Sequence, residues 1–460
     1  MNELTVVILA AGEGKRMRSR LPKVLHRLCG RPLIAYPLRA GRAVTDRLVV
    51  VVGREAGNLG SLLAADVQTV EQAERLGTGH ALQQAQPLCG DEAIVVLPGD
   101  APLLSGATVE RLVAHHRATR AAATLLTAVV DQPRGYGRII RQGGRVAGIV
   151  EERDATDDEK AIAEINTSVY CFDARRLWPT LARVRATNDQ GEYYLTDVIG
   201  LLARAGERIE ALTAGDPAEA LGVNDRKQLA AVAAIQRRRT LDRLMEDGVT
   251  VIDPASTYIE DTVTIGPDTV VYPNAVIEGD TIIGSACVIG AGCQLSRSHL
   301  ADGVVLKPYC VIADSTIEAG AILGPFCHLR PLSHVEAEVH IGNFVELKKT
   351  RIGRRSKANH LAYLGDATIG PDVNIGAGTI TCNYDGVAKH PTAIEAGAFI
   401  GTNTSLVAPI TIGAGSYVGA GSVITRDVPP GALAVERAQQ TVKEGWAARR
   451  AKARPPRREP

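Results

Sequence analysis

Two hydrophobic patterns divide the chain. In the first half, near-continuous apolar runs alternate with helix-like stretches such as 106–118. The runs are "LTVVILAAG" from Leu4, "RLVVVVG" from Arg47 and "AIVVLPGD" from Ala93. Unbroken apolar runs suit strands buried on both faces of a parallel sheet, and their alternation with helices predicts a doubly wound α/β domain. Ligands of such domains bind beyond the carboxyl ends of the strands. Two of the runs end there in the loops "AAGEGKRM" and "PGDAP".

The second pattern has period six. From Ile265 an aliphatic residue recurs through Val271, Ile277, Ile283, Ile289 and Leu295, and again from Ile394 through Ile400, Leu406, Ile412, Val418 and Ile424. Such a repeat predicts a solenoid of stacked coils, with about 18 residues per three-sided turn, aliphatic side chains inward and the following glycine easing each corner. It resembles the left-handed parallel β-helix of hexapeptide-repeat acyltransferases. Between Ile352 and Ile369 the beat is lost, and the stretch "ANHLAYLGD" carries His360, Tyr363 and Asp366. Residues 226–247 have helical spacing at Leu229, Val232, Ala233, Leu241, Leu244 and Met245, with Gly248 as a stop. The expected layout is an α/β domain over 1–225, a linker helix over 226–248, a β-helix over 249–437 and a partly disordered tail over 438–460.

Composition narrows the function classes. Lysine and arginine total 52 against 51 aspartates and glutamates, which gives no argument for bulk nucleic-acid binding. Eight cysteines show no C-x-x-C pair and read as small buried residues in a reducing compartment. The start lacks a basic, signal-like segment, and the charge-free stretch 396–425 is too rich in glycine for a membrane helix. A soluble, cytoplasmic protein is expected. The ending "RRAKARPPRREP" reads as a solvated basic tail.

"LAAGEGKRM" lacks both the P-loop and the dinucleotide-binding spacings. Gly12 and Gly14 open the backbone, and Lys15, Arg16 and Lys23 follow, so amides and cations can cradle phosphates. The string L-x-x-G-x-G-x-R-M followed by P-K resembles the signature of sugar-1-phosphate nucleotidyltransferases. The resemblance implies that Leu9, Ala10, Gly12 and Lys23 contact the nucleotide, and that Gln72 and the pair Gly77–Thr78 read a uracil base. It implies Asp100 and Asn224 as ligands of Mg²⁺, a donor set of oxygens that suits this hard cation. Gly137, Glu151 and Asn166 would hold the amino sugar, while Arg16 and Lys23 act as catalytic cations. Asn224 could equally cap the following helix, and Gly137 could turn a hairpin.

In the second half His328, His334 and His340 are one hexad apart, so they point to three different faces and cannot converge on zinc. Arg330 and Lys348 are 18 apart and should sit on neighbouring strands, roughly 4.8 Å apart. Like charges so placed need an anion between them, either Glu346 or a substrate phosphate that Lys389 could join. "GNFVELKK", "SKANHLAYLGDATIGPDVNIGAGTITCNYDG" and "TVKEGW" are similar to a family of bifunctional bacterial enzymes. These join N-acetylglucosamine-1-phosphate uridyltransferase to glucosamine-1-phosphate N-acetyltransferase and feed peptidoglycan and lipopolysaccharide synthesis. The resemblance runs from Leu9 to Trp446. It implies His360 as general base and Arg330, Lys348, Tyr363, Asn374 and Lys389 as holders of the sugar phosphate. It places Ala377, Asn383, Tyr384, Thr402, Ala420 and Arg437 on the acetyl-CoA side. UTP and acetyl-CoA are the implied co-substrates, and a homotrimer the implied assembly, without nucleic acid or membrane. Thr402 departs from an expected serine and Pro98 from an expected aromatic. A monofunctional nucleotidyltransferase with a regulatory β-helix is the competing reading, and it leaves "NHLAYLGD" unexplained.

Overall fold

The computed structural model describes residues 4–54, 63–90 and 92–452, in two compact units that divide between Thr240 and Leu241. The readings made for the extreme N-terminus (1–3) and for the end of the tail (453–460) lie outside the described residues. No helix among the described residues is long and apolar enough to cross a membrane.

The first unit is built on strands β1 (Leu4–Ala10), β2 (Leu48–Gly53), β3 (Gln68–Gln72), β4 (Ala93–Pro98) and β5 (Ala123–Val129). They are joined by a hairpin of β6 (Arg138–Gln142) and β7 (Arg145–Val150), then by β8 (Glu164–Asp173) and β9 (Ile209–Thr213). The sheet order is β9-β5-β8-β4-β1-β2-β3, with the hairpin attached through β8. The three apolar runs of the sequence are β1, β2 and β4, adjacent and parallel at the centre. Their side chains are buried alternately in two apolar clusters, with Val7, Val49 and Val96 on one face and Val6, Val50 and Val95 on the other. One feature was hidden from periodicity: β8 runs antiparallel between β4 and β5, so the sheet is mixed.

The helix Arg226–Glu246 crosses the division. Val232 packs with Leu28, Leu33 and Tyr36 in the first unit, while Leu241 and Leu244 belong to the apolar core of the second. Beyond the solenoid, Trp446–Lys452 is helical.

The second unit is a parallel β-helix of three sheets, each strand only two to four residues long. Face one starts with Thr250–Val251, face two with Tyr258–Ile259 and face three with Thr264–Ile265. Aliphatic residues of the hexads stack inward as expected: Val271 lies on Ile289, Ile277 on Leu295 and Leu329 on Leu347, all buried.

Two expectations are corrected. The beat is not lost between Ile352 and Ile369, because Ala358 and Leu364 keep it, both buried. Alanine is a weak hydrophobic signal, which hid the register. The real interruption is at 383–390, where one coil is longer: Ile375 pairs with Ile400, while Ile341 pairs with Ala358 and Ile400 with Val418.

The glycine after each aliphatic residue is also not what turns the corner. Gly342 and Gly353 lack a positive φ, yet a Cβ on either would fall onto the backbone of the next coil, at Asn359 and Gly370. The left-handed corner lies three positions after the inward residue and accepts other side chains, as at Tyr309, Phe326 and Phe344. These coils stack so closely that the glycine is needed for packing rather than for conformational freedom.

Candidate active sites

In the first unit a cleft of about 950 Å³ opens beyond the carboxyl ends of β1 and β4. Eleven of the residues singled out from the sequence line it: Leu9, Ala10, Gly12, Arg16, Lys23, Gln72, Gly77, Thr78, Asp100, Glu151 and Asn224. Gly137 and Asn166 stand behind the wall. A Cβ on Gly137 would lie 3.4 Å from Glu151 Oε2, and Asn166 Nδ2 donates to the Tyr170 hydroxyl at 2.7 Å. The hairpin turn falls at Gly143–Gly144, so Gly137 is not the turn residue.

The loop after β1 folds around Lys23. Gly14 has φ +66 and its Cβ, if present, would lie 2.7 Å from Lys23 Cβ, so only glycine lets the loop close on that lysine. Lys23 Nζ pairs with Asp100 Oδ2 and donates to Asn224 Oδ1 at 3.2 Å. An aspartate after β4 and an asparagine before the long helix thus aim oxygens at one cation. Asn224 is not the helix cap; Asp225 Oδ1 accepts from Gln228 N at 2.8 Å and fills that role.

The other end of the cleft is shaped by Gln72, whose Nε2 donates to Gly77 O at 3.0 Å and meets His80 Nδ1 at 3.0 Å. These bonds consume its donor and leave its carbonyl oxygen for a ligand. Thr78 Oγ1 accepts from Leu195 N at 3.0 Å. Glu151 accepts from Thr196 Oγ1 at 3.1 Å, and burial, opposed by that bond, pushes its carboxyl above the usual range. His80 and Thr196 escaped the sequence reading; His80 carried a signal, lying eight residues after Gln72 on the first turn of the helix Thr78–Ala85.

In the solenoid, His360 ends a strand of face one, beside Asn343 in the preceding coil. Its Nδ1 lies 2.9 Å from Asn343 Oδ1. The amide oxygen can only accept, so Nδ1 carries the proton and Nε2 keeps its lone pair. Asn343 was also missed, although the seventeen-residue coil length places it directly under His360. Down the same corner run Ala377, Thr402 and Ala420, tied by Asn403 N to Ala377 O (2.7 Å) and Gly421 N to Thr402 O (2.8 Å). Arg437 Nη1 donates to Ala420 O at 3.0 Å.

The opposite edge of face two holds the cations. Arg330 and Lys348 do sit in adjacent coils, as Leu329 pairs with Leu347. Each has a carboxylate: Arg330 Nη1 donates to Glu346 at 2.9 Å, and Lys348 Nζ lies 3.3 Å from Asp366 Oδ2. Asn383 Nδ2 also donates to Asp366, and Gly365 is overhung by the Tyr363 hydroxyl. Lys389 lies close to Lys348, and their interaction lowers the proton affinity of Lys389 while, together with Asp366, it raises that of Lys348. Tyr384, whose hydroxyl donates to Gly386 O at 2.7 Å, rises from the long coil's loop. Asn374 lies apart, on face one between Lys357 and Phe399. Within one chain, then, Asn383 and Tyr384 share the cation edge and not the column of Ala377, Thr402 and Ala420. His328, His334 and His340 lie on three different faces, and no metal-binding cluster of His, Cys, Asp and Glu occurs among the described residues. The cysteines form no disulfide among the described residues.

A mixed sheet with a glycine-lined cleft beyond its strand ends, followed by a three-sided solenoid with an oriented histidine and a cation edge, fits a nucleotidyltransferase fused to an acyltransferase. Family models agree. Residues 6–246 match the MobA-like NTP transferase domain, 259–352 the GMPPB C-terminal domain, and 391–426 the bacterial transferase hexapeptide of six repeats. The chain is 48% identical over 452 residues to the Bifunctional protein GlmU of Brevibacillus brevis, covering 97% of this chain and 98% of the relative. It is 50% identical to that of Syntrophotalea carbinolica, covering 97% of each, and 52% identical to that of Pelotomaculum thermopropionicum, covering 97% of this chain and 99% of the relative. The chain belongs to the GlmU family, bifunctional enzymes of UDP-N-acetylglucosamine synthesis, with a uridyltransferase in its N-terminal half and an acetyltransferase in its left-handed β-helix.

Proposed function

We propose that the cleft of the first unit transfers UMP from UTP to N-acetylglucosamine-1-phosphate, and that face two of the solenoid makes this acceptor from glucosamine-1-phosphate and acetyl-CoA. The observation that carries the reading is the oriented His360 on one edge of that face, with the cations of Lys348 and Lys389 on the other.

For uridyl transfer, Gln72, Gly77 and Thr78 receive the base, and Glu151, with Gly137 and Asn166 behind it, the sugar hydroxyls. A phosphate oxygen of the sugar phosphate attacks the α-phosphorus of UTP, and the bond to pyrophosphate breaks. The protein's work is to position the reactants and neutralise charge. Arg16 and Lys23 supply cations against the departing and transferred phosphates. Asp100 and Asn224, already converging on the Lys23 ammonium, fit a hard cation. Mg²⁺ held there would add positive charge between the two substrates.

For acetyl transfer, the glucosamine nitrogen attacks the thioester carbonyl, His360 Nε2 takes its proton, and the carbon–sulfur bond breaks to release the thiolate of CoA, which takes up a proton as thiol. Asn343 holds the imidazole in the tautomer that this needs. Arg330, Lys348, Tyr363 and Lys389 hold the phosphate, and Ala377, Thr402, Ala420 and Arg437 line the path of CoA. Asn374, Asn383 and Tyr384 lie away from that column in a single chain. Their separation supports a homotrimer in which neighbouring copies complete each acetyl-transfer site. A cytoplasmic location goes with this reading.

The test supplies glucosamine-1-phosphate, acetyl-CoA, UTP and Mg²⁺ and follows free thiol and pyrophosphate separately. Thiol release without UTP is expected, and pyrophosphate only after it. Pyrophosphate release from added N-acetylglucosamine-1-phosphate with no thiol release would leave a uridyltransferase with an inert solenoid.

A further inference from the structure

The first unit holds a second cavity, of about 790 Å³, which shares no lining residue with the nucleotide cleft. Its polar walls are Gln142 and Arg145 of the hairpin, Arg204 at the end of the helix Asp197–Arg204, and Glu207, Arg208 and Glu210 leading into β9. Both carboxylates are engaged: Arg176 pairs with Glu207 at 2.6 Å and Arg208 with Glu210 at 2.7 Å. Gly206 N and Glu207 N take the carbonyls of Ala203 and Leu202 at the helix end. The helix therefore offers the cavity few free acceptors, although its terminus favours cations. Arg145 and Arg204 both line the cavity and form no ion pair among the described residues, so two cationic side chains border a space large enough for a small ligand.

Both walls lead to the sugar end of the cleft. Strand β7 runs from Arg145 to Val150 and delivers Glu151. The helix starts after Thr196, which donates to that same Glu151. Strand and helix meet glycine to glycine, since a Cβ on Gly148 would lie 3.8 Å from Gly200 Cα. Arg204 folds back over Gly200, where a Cβ would lie 3.3 Å from its Nη1; burial and then Asp154 push the Asp197 carboxyl above the usual range, and the charge of Arg204 opposes them. At Glu151 burial is the main cause of the raised pKa, and the charges of Asp154 and then Asp197 add to it.

We propose that this cavity is a regulatory site for a phosphate monoester, gripped by Arg145 and Arg204, whose binding draws Arg204 from Asp197 and alters how Glu151 holds the sugar substrate. The cavity stands on its own geometry, while its effect rests on the proposed role of Glu151. Glycerol 3-phosphate and orthophosphate are titrated separately by calorimetry into the full chain saturated with UDP-N-acetylglucosamine and CoA. One monoester site per chain is expected, weakened at least about tenfold in Arg145→Ala/Arg204→Ala and in Arg145→Ala alone, which leaves the helix untouched. No binding, or binding equal in variants and wild type, overturns the site. Orthophosphate binding as tightly as the ester overturns the assignment to a monoester. In uridyl transfer, the ester should shift the KM for N-acetylglucosamine-1-phosphate by about fivefold in the wild type and not in the double variant. An equal shift in both would locate its action in the nucleotide cleft and overturn the coupling. A protein with no uridyl transfer would sink the role of Glu151 and leave the calorimetry to decide the cavity.

Discussion

At the scale of residues, both sites depend on side chains that orient other side chains. Asn343 selects which imidazole nitrogen of His360 is free. Asn343→Ala should lower the kcat of acetyl transfer on the order of 10- to 100-fold with little change in KM, measured by thiol release. His360→Ala should cost about 10²–10⁴-fold, and addition of free imidazole should not be needed by the wild type. Glu151 offers a pH test. Burial raises its folded pKa, so the carboxylate proposed to accept sugar hydroxyls is lost as pH falls through a value above the ordinary carboxylate range. The KM for N-acetylglucosamine-1-phosphate should therefore rise on the acid side. Glu151→Gln should bind more weakly at neutral pH and lose that dependence; a variant retaining it would assign the titration elsewhere.

At the scale of elements, the solenoid is regular through the coils that carry Asn343 and His360 and irregular at 383–390. The glycine at 342 lets the coil bearing Asn343 sit against the coil bearing His360, because any Cβ there meets the Asn359 backbone. Gly342→Ala should cost about 1–3 kcal/mol in urea unfolding and disturb acetyl transfer, while pyrophosphate release persists. The loop at 383–390 is pinned by Asp385, whose carboxyl is held well below its usual range by the Ala388 and Val387 amides and His390. This gives Lys389 and Asn383 a fixed place beside Lys348. Shortening that loop to a standard coil should leave the β-helix folded by circular dichroism and raise the KM for glucosamine-1-phosphate.

At the scale of the whole molecule, two chemistries share one chain without sharing residues. Asp100→Ala should abolish pyrophosphate release and keep thiol release, and His360→Ala the reverse. Mixing the two variants should restore UDP-N-acetylglucosamine formation from glucosamine-1-phosphate, UTP and acetyl-CoA, followed by chromatography. Failure of the mixture, with each variant retaining its own half-reaction, would mean that the intermediate does not cross between protein molecules.

The sequence alone determined the two architectures and most of the site. Buried parallel strands must be continuously apolar and stacked coils must repeat, so β1, β2, β4 and the hexads were readable from one-dimensional pattern. Loop motifs likewise named eleven residues that line the cleft, because phosphate and metal chemistry restricts residue type. Tertiary structure decided what depends on register and on approach in space. It placed β8 antiparallel, because strand direction leaves no trace in composition. It moved the break in the solenoid from 352–369 to 383–390, because Ala358 fills an inward position with little hydrophobic signal. It also brought Asn343 under His360 and Asp366 between Lys348 and Asn383, contacts set by coil length, which is seventeen residues in some turns and eighteen in others. An average period cannot resolve that single-residue difference, and in a stacked strand one residue decides which side chain is the neighbour.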